Sequence, residues 1–293
     1  MFRTILIATD LSAASEELCK CVGSLKRVRP REVWLAHVCN IRNVGGLAAD
    51  LKEEHALELE RQVGILKRHG LGAKGVIRQG IPFVEINREA ARKKARLIVV
   101  GSHGEGLLKE MLIGSTAFEI IRQGTHPVLV FRHEVIEREG DRRCRMRCHD
   151  PFKHILFATD FSKNAAHAQR FVDHICHEAR SRVTLVHVQE KSRIEPHLKG
   201  RLAEFNRIDT ARLEAIAKGL RKRGARKVDI AIAYGHAVKE LLKLERKVKP
   251  SLIVLGSQGR SWTEELFLGS VAHNIVRNAK APVLVVPWRP AFA

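Results

Sequence analysis

The chain is written twice. Arg3-Thr4-Ile5-Leu6-Ile7-Ala8-Thr9-Asp10 returns 150 positions later as Lys153-His154-Ile155-Leu156-Phe157-Ala158-Thr159-Asp160. Leu35-Ala36-His37-Val38 returns at the same distance as Leu185-Val186-His187-Val188. Gly80, Gly101, Gly114 and Pro127 have counterparts 155 positions on, in Gly235, Gly256, Gly269 and Pro282. The second copy therefore carries five additional residues between its second and third strands. A repeat this long is a duplicated domain, because solenoid units recur every ~20–50 residues. The total of 293 residues fits such a reading, being the length of about two ordinary domains.

Within each copy, short apolar runs alternate with longer polar stretches. In the first copy strands are expected near 3–9, 32–38, 74–79, 97–100 and 127–131. Ser12 is a plausible N-cap for the first helix, with Glu16 and Glu17 in its first turns. A second helix is expected over 47–69, ending near Gly70, and a third from Pro82, a favourable early helical position. A fourth should run from Ser115 to Gln123. The second copy repeats this order and closes on a strand at 282–286. Alternating strands and helices imply an α/β fold, a parallel sheet with helices on both faces. Ligands of such sheets sit beyond the C-terminal strand ends, where the strand order reverses. Asp10 and the residues after Gly101 both lie at such ends.

Those residues form the most informative motif. Gly101-Ser102-His103-Gly104 is followed after nine residues by Gly114-Ser115, and Gly256-Ser257-Gln258-Gly259 after nine by Gly269-Ser270. Each follows an apolar run, Leu97-Ile98-Val99-Val100 or Leu252-Ile253-Val254-Leu255. Glycine lets backbone N–H groups approach an anion without a Cβ in the way. A helix beginning at the final Gly-Ser adds its own N–H groups and positive dipole end. Each loop is therefore expected to hold the phosphates of a nucleotide. Neither loop is a Walker A sequence, since no Gly-Lys-Ser/Thr follows the glycines. The dinucleotide fingerprint is missing after strand 1.

Residues 138–150 contain many charges and few apolar groups, and read as a basic linker between domains 1–137 and 151–293. Cys144, Cys148 and His149 do not follow a standard zinc spacing, and no metal ligand is assigned. The six cysteines form no regular framework, so thiols are expected throughout. No apolar run approaches the ~20 residues that span a bilayer, and Ile5-Leu6-Ile7-Ala8 is too short for a secretory leader. A cytoplasmic protein is expected.

The strands ending in Thr-Asp, the His-Val end of strand 2, the G-x2-G-x9-G-[ST] loop and the closing Pro-Val-Leu-Val occur in both copies. With them the chain resembles the universal stress protein family in its tandem two-domain form. The resemblance covers all but the linker. It implies two doubly wound five-stranded parallel-sheet domains in tandem, of the Rossmann-like, adenine nucleotide alpha-hydrolase-like class. It also implies ATP as ligand, with Mg2+ as its companion ion, in a stress-response or signalling module. Asp10 and Asp160 would contact the ribose, and Ala8 and Ala158 would lie beside the nucleoside. Val38 and Val188 would offer backbone groups to the adenine edge. Gly101, His103, Gly104, Gly114, Ser115 and Thr116 would hold phosphates in the first copy, and Gly256, Gln258, Gly259, Gly269, Ser270 and Val271 in the second. The resemblance also implies pairing of the two domains through their last strands; a homodimer and a protein partner are compatible with it. Glu105 stands where a basic residue is common in the family, Thr116 replaces a usual Val, and Gln258 replaces a basic or imidazole side chain.

Plainer readings stand beside these. The loops can be tight strand-to-helix turns, and Asp10 and Asp160 can cap helices or shape a turn at a strand end. His37 and His187 read as packed or hydrogen-bonded strand residues. No residue is assigned a catalytic role, leaving weak ATP hydrolysis as the enzymatic alternative. The formal charge of +20 suggests a third class, a scaffold for nucleic acid or anionic surfaces. An aromatic content of only 5% disfavours a base-stacking platform.

Overall fold

The apolar runs of the first copy form β1 (Thr4–Thr9), β2 (Glu32–Asn40), β3 (Ala73–Gly80), β4 (Leu97–Gly101) and β5 (Val128–Phe131). The computed structural model describes residues 1–40, 48–102, 113–138, 141–146, 150–195, 199–259 and 268–288. The chain divides into two units, Met1–His149 and Asp150–Trp288.

In the first unit the strands lie in the order β5-β4-β1-β2-β3, all parallel. Helices α1 (Ala13–Cys21), α2 (Ala48–Arg68), α3 (Pro82–Arg92) and α4 (Ser115–Gln123) connect them. Helix α1 packs with α2, and α3 with α4. Right-handed crossovers explain the pairing: β1, β2 and β3 step one way across the sheet, and the return to β4 and β5 places the later helices on the opposite face. Strand order reverses between β1 and β4, which puts the ligand crevice of such a sheet at their C-terminal ends. Ile5, Leu6 and Ile7 of β1 and Leu97, Ile98 and Val99 of β4 are at most 1% exposed. Covered on both faces, these strands read as unbroken apolar runs. The expected Ser12 cap is present, its side chain accepting from the Ser15 N–H, and Pro82 opens α3.

The stretch expected as a linker is partly structured. Strands β6 (His133–Arg138) and β7 (Asp141–Met146) pair antiparallel, with Val135 opposite Cys144. A two-stranded ribbon is held by backbone pairing and needs no apolar run, so a charged composition concealed it. Strand β7 runs beside α1. Cys21, at the end of that helix, is disulfide-bonded, which corrects the expectation of thiols throughout. Spacing along the chain does not reveal which elements the fold brings together. Cys19, Cys39 and Cys176 are not disulfide-bonded.

The second unit repeats the plan with β8 (His154–Ala158), α5 (Lys163–Ala179), β9 (Arg182–Glu190), α6 (Lys191–Ile194), α7 (Leu202–Lys222) and β10 (Lys227–Gly235), then α8 (Ala237–Val248), β11 (Leu252–Gly256), α9 (Ser270–Asn278) and β12 (Val283–Val286). Its strand order, β10-β9-β8-β11-β12, matches that of the first unit element for element. Most of the additional residues fall between β9 and α7, where the short α6 lies. Among the described residues no helix is long and apolar enough to cross a membrane.

Helices α1 and α2 are joined by Glu16, which bonds both Arg61 and Lys20. The bond from Arg61, more than that from Lys20, holds the Glu16 carboxyl at about 2, against an ordinary 4.5. A carboxyl depressed in the folded state stabilises it above the unfolded value and loses that contribution as pH falls through the folded one. Arg61 is half exposed, so solvent screening limits the effect to about 1 kcal/mol. Glu16→Gln should cost that much in urea unfolding at neutral pH. The gap from the parent protein should close as pH falls from 4.5 to about 2.

Candidate functional site

The first strand of each copy ends in a sharp turn. Leu11 takes a left-handed φ of 66° and Phe161 one of 60°, uncommon for large side chains. The preceding threonines hold these turns: Thr9 Oγ1 accepts the Leu11 N–H at 3.0 Å, and Thr159 Oγ1 that of Phe161 at 3.1 Å. Asp10 Oδ1 accepts from Ser12 N at 3.1 Å and from the Ser12 and Ser15 hydroxyls at 2.6 Å each. Asp160 Oδ1 accepts from Ser162 N at 3.0 Å. The N-caps of the following helices are Ser12 and Ser162, and each carboxylate bonds the cap residue rather than capping the helix itself, Asp10 with more bonds. The second oxygen of Asp160 has another neighbour. A Cβ placed on Gly259 would stand 3.0 Å from Asp160 Oδ2, so the glycine backbone lies against the carboxylate.

The glycine loops leave and rejoin the fold at one point. Ser102 N donates to Phe131 O at 2.8 Å, and Gly114 N donates to Ser102 O at 2.7 Å. In the second copy Ser257 N donates to Val286 O and Gly269 N to Ser257 O, both at 2.7 Å. Helices α4 and α9 then begin at Ser115 and Ser270, with Gly114 and Gly269 as N-caps. Neither helix has a side-chain cap or an acidic residue in its first turn. An acid there would compete with a bound anion; without one, the N-terminal amides and the positive dipole end suit a phosphate. Ser115, Thr116 and Ser270 are exposed, and Val271 is half-buried.

The remaining expected residues surround the same strand ends. Ala8 and Ala158 are half-buried and stand in register with Ala36 and Val186. Val38 pairs with Arg78 of β3, and Val188 with Ala233 of β10. Val186 O accepts the Thr159 N–H at 2.9 Å. A parallel strand alternates the sides it bonds, so Val188 turns its backbone to the same edge, beyond the end of β8. The loop after β11 lies on the other side of β8. A ligand touching both must cross the C-terminal end of β8. Gly101 and Gly256 end β4 and β11. His103 and Gly104 lie outside the described residues, as do Glu105 and Arg260. His37 and His187 are buried, each bonding through Nδ1 to the carbonyl of Thr9 or Thr159, at 3.1 and 2.8 Å.

One positioning residue escaped the sequence. Asn164 of α5 is buried, and its Nδ2 donates to Gln258 O at 3.1 Å and to Ser257 Oγ at 3.4 Å. It props the second glycine loop from below. The corresponding position of the first copy is Ala14, so the duplication carried no signal of it. A separate cavity of about 610 Å3 lies between α5 and α7, walled by Thr159, Phe161, Gln169, Arg212 and Ile216. No described residue of the glycine loop lines it.

The chain has relatives over its whole length. A universal stress protein of Mycolicibacterium smegmatis is 26% identical over 298 residues, covering 96% of each chain. One from Methanocaldococcus jannaschii is 30% identical over 157 residues, which is 46% of this chain and 97% of the relative. In fold, the crystal structure of a universal stress protein from Archaeoglobus fulgidus matches with a TM-score of 0.76 at 22% identity, covering 98% of this chain and 99% of that one. The universal stress protein family model matches residues 1–132 and again 151–287, once for each copy. The chain belongs to the universal stress protein family.

Proposed function

We propose that each copy binds ATP at its strand-order reversal, and that the bound nucleotide, not strong catalysis, is the working element of the protein. The observation that carries this reading is the juxtaposition in the second copy. The Asp160 carboxylate lies against the Gly259 backbone, and the uncapped α9 is reached through Gly269, whose N–H donates to Ser257 O in the same loop. A carboxylate accepts the hydrogen bonds of ribose hydroxyls. Backbone amides at the helix start complement phosphate charge. In this reading Ala158 and the Val188 backbone meet the nucleoside, while Gly256, Gln258, Gly259, Gly269, Ser270 and Val271 surround the phosphates. Ala8, Asp10, Val38, Gly101, His103, Gly104, Gly114, Ser115 and Thr116 take the same parts in the first copy. Mg2+ accompanies the triphosphate as a counter-ion. Binding would favour one conformational population, which is how such a module signals to a partner.

Equilibrium binding of ATP to the purified chain should saturate at two nucleotides. Gly259→Val and Gly104→Val should each remove one, because the branched side chain fills the space of the phosphates. Absence of saturable binding, or two retained sites in both variants, would refute the reading. The support of the second loop gives a further expectation. Asn164→Ala removes the bonds that Nδ2 donates to Gln258 O and Ser257 Oγ and should cost about 1–2 kcal/mol in chemical unfolding. It should also weaken the second ATP site while leaving the first unchanged.

A further inference from the structure

Three potential ligand atoms converge at the end of β2 in the first copy. His37 and Cys39 stand two residues apart, on one face of the strand. His55 reaches them from α2. His37 Nε2 lies 3.2 Å from His55 Nδ1, and Cys39 Sγ lies 3.3 Å from the same nitrogen. All three atoms fall within 4.8 Å of one another. Two nitrogens bound tetrahedrally to zinc stand about 3.3 Å apart, and a nitrogen and a sulfur about 3.5 Å apart. The 3.2 and 3.3 Å separations are close to these edges.

Protonation favours the same end. His37 Nδ1 contacts Thr9 O at 3.1 Å, and a carbonyl can only accept. The His37 proton therefore sits on Nδ1, and Nε2 presents its lone pair to the cluster. A backbone carbonyl fixing the tautomer of a ligating histidine is the usual outer support of a metal site. Cys39 and His55 are half-buried, which leaves a path of entry. Cys19 and Cys176, by contrast, are buried.

The second copy supplies an internal comparison. Its corresponding residues are His187, Gln189 and Asp209. Gln189 Nε2 donates to Asp209 Oδ2 at 3.0 Å, and His187 Nε2 stands 3.6 Å from that oxygen. Amide and carboxylate close this triad by hydrogen bonding. The first copy keeps the frame but fills it with two imidazoles and a thiol.

We propose that His37 Nε2, Cys39 Sγ and His55 Nδ1 form a Zn2+ site, with the fourth position taken by solvent. One thiolate and two imidazoles suit a borderline-soft ion of this kind. On loading, a metal–sulfur bond forms, the thiol proton passes to solvent and no electron is transferred. Affinity therefore rises with pH. The site is specific to the first copy and needs no nucleotide.

Cobalt is the optical probe. The metal-stripped full chain, titrated with Co2+, should show a thiolate charge-transfer band and the visible bands of four-coordinate cobalt. Both should saturate at one equivalent and disappear on adding Zn2+. Cys39→Ser and His55→Asn, checked for folding by circular dichroism, should abolish the sulfur band or weaken binding about 100-fold. A second measurement needs no variant: Zn2+ should slow alkylation of Cys39, read by peptide mass, because the thiolate is held by the metal. No thiolate band, a band retained in Cys39→Ser, or Cys39 alkylation indifferent to Zn2+ would each overturn the site.

Discussion

One threonine at the end of the first strand carries much of what lies above the sheet. Thr9 is buried; its hydroxyl donates to Gln62 Oε1 of α2 at 2.7 Å and accepts the Leu11 N–H, while its carbonyl takes Nδ1 of His37. A turn, a strand and a helix are thereby referred to one residue. Leaving any of these buried groups without a partner would cost about 1–3 kcal/mol. That cost allows Leu11 to be held in a left-handed conformation. Thr159 repeats two of the bonds, to Phe161 and to His187. Its carboxylate neighbour therefore leaves the strand at a fixed angle in both copies.

Duplication conserved this frame and let its contents drift. The strand orders match, and the glycine loops close through the same backbone bond from Gly114 or Gly269. Backbone bonds depend little on side-chain identity, so they survive substitution. The groups between them do not. Asn164 supports one loop where the other copy has Ala14, and His187-Gln189-Asp209 stands where the other copy has His37-Cys39-His55. Two copies with one architecture can thus differ in what their cavities hold.

The sequence was legible where local chemistry decides local structure. Helix α4 runs from Ser115 to Gln123 as expected, because Gly114 and Gly124 bracket it. The central strands were legible because burial on both faces demands unbroken apolar runs. The hairpin of β6 and β7 was not, since backbone pairing leaves no compositional mark on a charged ribbon. The histidine–cysteine cluster was hidden for a different reason. Spacing directed attention to Cys144, Cys148 and His149, whereas His37 and His55 sit 18 residues apart on different elements. Only packing of α2 over β2 makes them neighbours. Of the expected phosphate residues, His103 and Gly104 lie outside the described residues. Gln258 and Gly259, their counterparts in the second loop, are described.

That loop also separates two reasons for glycine. A Cβ on Gly256 would press against Asn164 at 2.9 Å, and one on Gly269 would approach the Ser257 carbonyl at 3.1 Å. Neither glycine takes a positive φ, so the demand is for space, and the fold's own packing accounts for it. A glycine-rich spacing by itself is therefore ambiguous between a tight turn and a ligand cradle. Gly259 differs. It is exposed, and the atom a Cβ would meet there is a carboxylate oxygen of Asp160. Packing within a core does not require an open glycine against a charged group. A ligand cradle would, so Gly259 is the position at which substitution separates a cradle from a turn.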